Sequence, residues 1–129
     1  MRYKRKEPFR YQFLEPVDGA FVILLNHEDT EKIKRTDSGA MKIIDISPKG
    51  MRFKSKLNLP THKKEFLIEA TFSLEGTTLT MLGKIAWKKE ENDYYHYGIE
   101  GFEDAEREQG ITHAVKEYSK RRTDGGGLV

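Results

Sequence analysis

The sequence predicts a mainly β domain, a barrel or sandwich of short antiparallel strands followed by one helix. Three observations carry this. Phe66, Ile68, Ala70, Phe72 and Leu74 share one face of the segment from Glu65 to Leu74, while Glu65, Glu69, Thr71 and Ser73 share the other. That is the period of a half-buried strand. Further apolar runs are bounded by Gly, Pro, Asn and Asp, the residues that end strands. Near the C-terminus the period changes, and Ile111, Ala114, Val115 and Tyr118 recur at helical spacing, as one stripe that packs on a sheet.

Taken in order, Tyr11–Glu15 and Ala20–Asn26 read as two strand segments separated by a turn at Pro16-Val17-Asp18-Gly19, because Pro and Gly punctuate extended chain. The polar stretch from His27 to Ala40 reads as a loop or irregular edge, ending at the strand Lys42-Ile43-Ile44-Asp45-Ile46-Ser47. Pro48-Lys49-Gly50 turns the chain into Met51-Arg52-Phe53. Beyond the alternating strand, Glu75-Gly76 makes a hairpin turn and Thr77–Lys88 returns, ending in Gly83-Lys84-Ile85-Ala86-Trp87. Glu90–Asp93 is a polar turn before the strand Tyr94–Phe102. Asp104 caps a helix beginning near Ala105, and Lys116, Lys120, Arg121 and Arg122 suit its negative C-terminal end. Thr123 to Val129, with three consecutive glycines, reads as a mobile tail.

The chain has 129 residues, a length that suits one domain with a real core. Its formal net charge is +2, too nearly balanced for bulk nucleic-acid binding by overall charge. Distribution matters more, because residues 1 to 10 hold five Lys or Arg against one Glu, whereas Glu90 to Asp104 is mostly acidic. The basic opening attracts an anion.

Several functions are disfavoured. There is no cysteine, which removes disulfides, thiolate metal sites and cysteine nucleophiles. His27, His62, His96 and His113 lie far apart, without carboxylates at ligand spacing, so no metal site is expected. Nucleophile elbows, phosphate loops and zinc-protease motifs are absent, and no enzymatic activity is expected. The longest apolar run, Ala20–Leu25, is too short to span a membrane. Glu7, Pro8 and Arg10 occupy the place where a signal peptide needs apolar residues. A cytoplasmic location is expected.

The strand-turn-strand at residues 42–53 carries the candidate chemistry. By alternation Asp45 and Ser47 emerge together on one face while Ile44 and Ile46 enter the core. Gly50 is free to take a positive φ and to expose its backbone. A carboxylate, a hydroxyl and an open backbone facing a basic arm suit the base edges and phosphates of a nucleotide. Taken alone, an Asp-x-Ser turn is more often ordinary turn chemistry, with side chains bonding their own backbone. Trp87 shares a strand face with Ile85 and is expected in the core. Tyr94, Tyr95, His96 and Tyr97 read as sheet surface or an interface.

Four pieces in this order resemble the PilZ domain: Arg5-Lys6-Glu7-Pro8-Phe9-Arg10, Asp45-Ile46-Ser47-Pro48-Lys49-Gly50, Gly83 to Trp87, and Tyr97-Gly98-Ile99-Glu100-Gly101-Phe102. The resemblance covers residues 5 to about 120. It implies an all-β fold, a six-stranded antiparallel β-barrel with a C-terminal α-helix. It divides the chain into a basic arm over residues 1–12, a barrel with its helix over 13–120, and a flexible tail over 121–129. It also implies a bacterial receptor for the second messenger cyclic di-GMP, often bound in this family as a stacked pair, with no other cofactor. By position, the ligand residues are Arg5, Lys6, Arg10, Asp45, Ser47 and Gly50. The arm closes over the nucleotide and changes the surface shown to a downstream protein partner, the receptor being a monomer or weak homodimer.

One residue departs from the family pattern. The arm's Arg-x-x-x-Arg element usually has Arg at both ends, and here its first end is Lys6. Lysine keeps the charge but lacks the planar fork, a loss of about 1–3 kcal/mol in a contact of this kind. Lys6 therefore supports a second reading, a PilZ-like interaction module without nucleotide affinity. A third is a small barrel that binds single-stranded nucleic acid through its basic arm. It is disfavoured, and no nucleic-acid partner is expected.

Overall fold

A computed structural model describes residues 10–25, 31, 33–61 and 66–124. The strands are β1 (Tyr11–Leu25), β2 (Lys34–Arg35), β3 (Gly39–Ser47), β4 (Gly50–Ser55), β5 (Leu67–Leu74), β6 (Thr77–Glu91) and β7 (Tyr94–Gly101), and α1 (Ala105–Asp124) follows. β1, β3, β4, β7, β6 and β5 pair in that order, and β5 pairs back onto β1. The expected six-stranded antiparallel barrel with one C-terminal helix is formed. β2 is a two-residue addition on β1.

The core follows the sequence alternation closely in β5, where Ile68, Ala70, Phe72 and Leu74 are all buried. Met41, Ile43, Ile46, Met51, Phe53, Met81 and Ile99 fill the interior with them, each large apolar side chain contributing about 1.5–3 kcal/mol by leaving water. Tyr97 is also fully buried, stacked on Phe53 with ring centroids 5.1 Å apart. Its hydroxyl donates to the Leu57 carbonyl (2.7 Å) and accepts from the Leu59 amide (2.8 Å), tying the segment after β4 to the barrel. Burial pushes the Tyr97 phenol above its ordinary pKa.

Turn chemistry matches the sequence. Glu75 and Gly76 have φ of 48° and 83°, as a two-residue hairpin requires. The β6–β7 turn is tighter than expected, with Asn92 at φ 58°. Asp104 caps α1 reciprocally, its Oδ1 accepting from the Arg107 amide (3.1 Å) and its own amide donating to Glu108 Oε2 (3.3 Å). Ile111, Ala114 and Val115 are buried on the barrel. Tyr118 meets Tyr11 and Phe13 edge-on, with centroids 5.9 and 5.3 Å away, so α1 anchors the start of β1.

Three expectations are corrected. Pro16–Gly19 does not break the first strand, because β1 runs unbroken through it. The irregularity is absorbed as a register shift against β3 between Gln12 and Val17. Ile43 rather than Ile44 enters the core with Ile46, because the β3–β4 register shifts between Ile43 and Asp45. A bulge inserts a residue and reverses the parity of what precedes it. The stretch read as a loop or irregular edge is such an edge where it is described, contributing the two-residue β2 and the start of β3. The helix continues through Asp124, past the expected start of the tail, and residues 125–129 lie outside the described ones. No helix among the described residues is long and apolar enough to cross a membrane.

Candidate functional site

The barrel registers align residues of four strands into rows. Ile46, Met51, Ile99 and Ile85 form one row, facing inward. The neighbouring row, facing outward, is Asp45, Arg52, Gly98 and Trp87. Trp87 belongs to it because a second register shift falls between Ile85 and Trp87. The expectation that Trp87 packs in the core with Ile85 is therefore corrected. The bulge puts the indole on the outside, 44% exposed, over Gly98, where a Cβ would overlap its ring.

Asp45 is almost covered, at 7% exposure. Arg10 Nη1 donates to its Oδ1 at 2.8 Å. Arg52 approaches its Oδ2 with Nε at 3.0 Å and Nη2 at 2.9 Å. Asp45 is therefore not the open acceptor that alternation predicts, since both of its oxygens are engaged. It acts as a buttress, holding two half-exposed guanidiniums at the rim of a cleft. Two arginines on one carboxylate leave a net positive charge there. The cleft, of about 250 Å³, is lined by Arg10, Asp45, Arg52, Trp87 and Gly98, with the core residues Met51 and Ile99 and the exposed Ala86 beside them.

Ser47 and Gly50 are placed differently from Arg10 and Asp45. Ser47 is fully buried and its hydroxyl donates to the Gly50 carbonyl at 3.3 Å, which is turn chemistry. Gly50 does not take a positive φ or offer an open backbone, as expected from the turn. It is a buried strand residue, and a Cβ there would lie 2.6 Å from the Ile99 carbonyl oxygen. Glycine is needed at position 50 for close approach rather than for backbone freedom. The Pro48–Gly50 turn is held from behind by Arg107 of α1, which donates to the Pro48 carbonyl (3.3 Å), and by the Gly101 amide, which donates to the Lys49 carbonyl (2.9 Å). Arg5 and Lys6 lie outside the described residues.

Sequence reading missed Arg52 and Trp87. Arg52 has a local signal, a charge between the buried Met51 and Phe53. Trp87 is marked by the Gly83–Trp87 piece of the family pattern, but its outward face depends on the bulge and has no local signal. The arrangement offers planar cations and an aromatic face, the chemistry that grips an anion and stacks on a ring. Among the described residues no group of three His, Asp or Glu gathers to hold a metal.

The family model described as PilZ domain matches residues 4–117. The chain belongs to the PilZ family. No curated protein matches it. Within the PilZ domain, the Gly-x-x-x-Trp and Tyr-Gly-Ile elements have a joint physical meaning, since Trp87 of one lies over Gly98 of the other. Gly83 instead faces the Glu100 backbone, where a Cβ would lie 2.3 Å from the carbonyl oxygen, so Gly83 makes room for the neighbouring strand and Gly98 for the indole.

Proposed function

We propose that this PilZ domain is a receptor for cyclic di-GMP, bound at the cleft between Arg10, Arg52 and Trp87. The observation that carries the reading is the pair of guanidiniums on Asp45 beside an exposed indole. Cyclic di-GMP presents phosphodiester charges and guanine rings. A guanidinium meets a phosphate, or the O6/N7 edge of guanine, with two parallel hydrogen bonds. Stacking on an aromatic side chain contributes about 1–3 kcal/mol per base. Arg5 and Lys6 are assigned to the arm that closes over the ligand, and Asp45 to holding Arg10 and Arg52 in place or exchanging one of them for a guanine edge. Ser47 and Gly50 shape the turn beneath. The role is binding, with a downstream protein as the reader of the closed arm.

The alternative is an interaction module of the same fold without nucleotide affinity. Lys6 favours it, as does the engagement of both Asp45 oxygens by arginines. Calorimetric titration with cyclic di-GMP, with GTP and cyclic AMP as controls, separates the two. Saturable binding of cyclic di-GMP alone, lost in Arg52→Ala, supports the receptor. Silence from both the parent and Lys6→Arg supports the module.

A further inference from the structure

A second surface lies further along the same outer face. Its row is Lys42, Lys54, His96 and Lys89, on β3, β4, β7 and β6. Lys42 stands directly opposite Lys54, and like charges in that position destabilise a sheet. Only Lys42 of these two is neutralised, by Asp18 at 2.7 Å. Lys54 on β4 and Lys56 just after its end have no carboxylate partner among the described residues. Their ammonium groups lie over the Tyr94 ring, 4.5 and 5.5 Å from its centroid.

These lysines border an open groove of about 510 Å³. Its floor is apolar, built from Ala40, Met41, Leu57 and the Tyr94 ring. Leu57 is 46% exposed and packs over Gly39, where a Cβ would lie 2.7 Å from its Cδ1. An apolar centre with a charged rim is the anatomy of a protein interface. Unlike arginine, lysine offers a point charge without a fork, suited to drawing in scattered carboxylates more than to gripping one phosphate. The chain's own basic opening has the wrong sign to occupy the groove.

We infer that this groove docks an acidic segment of a partner protein, with an apolar side chain seated on Leu57 and Tyr94 and flanking carboxylates on Lys54 and Lys56. The site is separate from the Arg10–Arg52 cleft and its test needs no nucleotide. The probe is a blocked peptide with a central Leu-Phe pair flanked by Asp and Glu, titrated into the isotopically labelled full chain and followed by amide NMR shifts. Saturable shifts are expected at Gly39, Ala40, Lys54, Lys56, Leu57 and Tyr94. The double variant Lys54→Gln/Lys56→Gln is expected to weaken binding about tenfold or more, as is replacing the peptide's carboxylates by amides. Leu57→Ser is expected to weaken it with the charges intact. The inference is overturned if no saturable shift occurs, if the double variant binds like the parent, if the amide peptide binds equally well, or if inorganic phosphate alone produces the same shifts.

Discussion

Trp87 lies across the backbone of Gly98, its cross-strand partner, and the indole occupies the space that any side chain at position 98 would need. This contact sets the aromatic wall of the cleft. Gly98→Ala is therefore expected to displace the indole and cost about 1–3 kcal/mol, the range for overpacking. Trp87 is the only tryptophan, so its fluorescence reports the displacement directly. An unshifted emission maximum with parent stability would show that the ring does not depend on the glycine.

The same fluorophore reads the proposed ligand. Cyclic di-GMP is expected to quench Trp87 emission saturably, and Trp87→Ala to weaken binding by about tenfold to a hundredfold, the equivalent of about 1–3 kcal/mol of lost stacking. Parent affinity in Trp87→Ala would remove the indole from the site.

Asp45→Asn tests the buttress. The amide keeps the shape but loses the charge that both arginines share. Because Arg10 and Arg52 are half exposed, the expected loss of stability is modest, about 1–2 kcal/mol. Affinity for cyclic di-GMP falls with it, because the guanidiniums are no longer held at the rim. Chemical denaturation and titration measure the two effects separately.

Lys6→Arg restores the fork. On the receptor reading, affinity rises about tenfold, the value of one improved charge-assisted contact. Calorimetry on the pair of proteins checks it, and an unchanged or lower affinity would deny position 6 a direct contact.

Stability is expected to fall at alkaline pH. The folded protein holds the Tyr97 proton more tightly than the unfolded chain does, because burial raises that pKa, and pairing with Asp18 raises that of Lys42 in the same direction. Above about pH 10 the unfolded state therefore binds fewer protons, so this stability is complete below that pH and is lost as pH rises through the folded values. Tyr97→Phe should cost about 1–3 kcal/mol at neutral pH by orphaning the Leu57 carbonyl and the Leu59 amide. It should also flatten the alkaline decline, leaving the Lys42 part. Urea midpoints across pH check both, and an equally steep decline in the variant would acquit Tyr97.

Much of this architecture is written in local patterns. The alternation of β5, the Glu75-Gly76 turn, the Asp104 cap and the stripe on α1 each need only near neighbours to be read, because strand and helix periods and turn backbones are local properties. The order of the four motif pieces was enough to expect the barrel, but not that Arg10 would bond Asp45 directly. The tertiary structure alone decided the faces of Ile43, Ile44 and Trp87 and what covers Asp45. Bulges before Asp45 and before Trp87 arise from how β3 meets β4 and β6 meets β7. A shift of one residue reverses side-chain parity. It took Ile44 out of the core, brought Trp87 into the cleft beside Arg52, and left Asp45 sealed between two arginines, a placement that no single strand encodes.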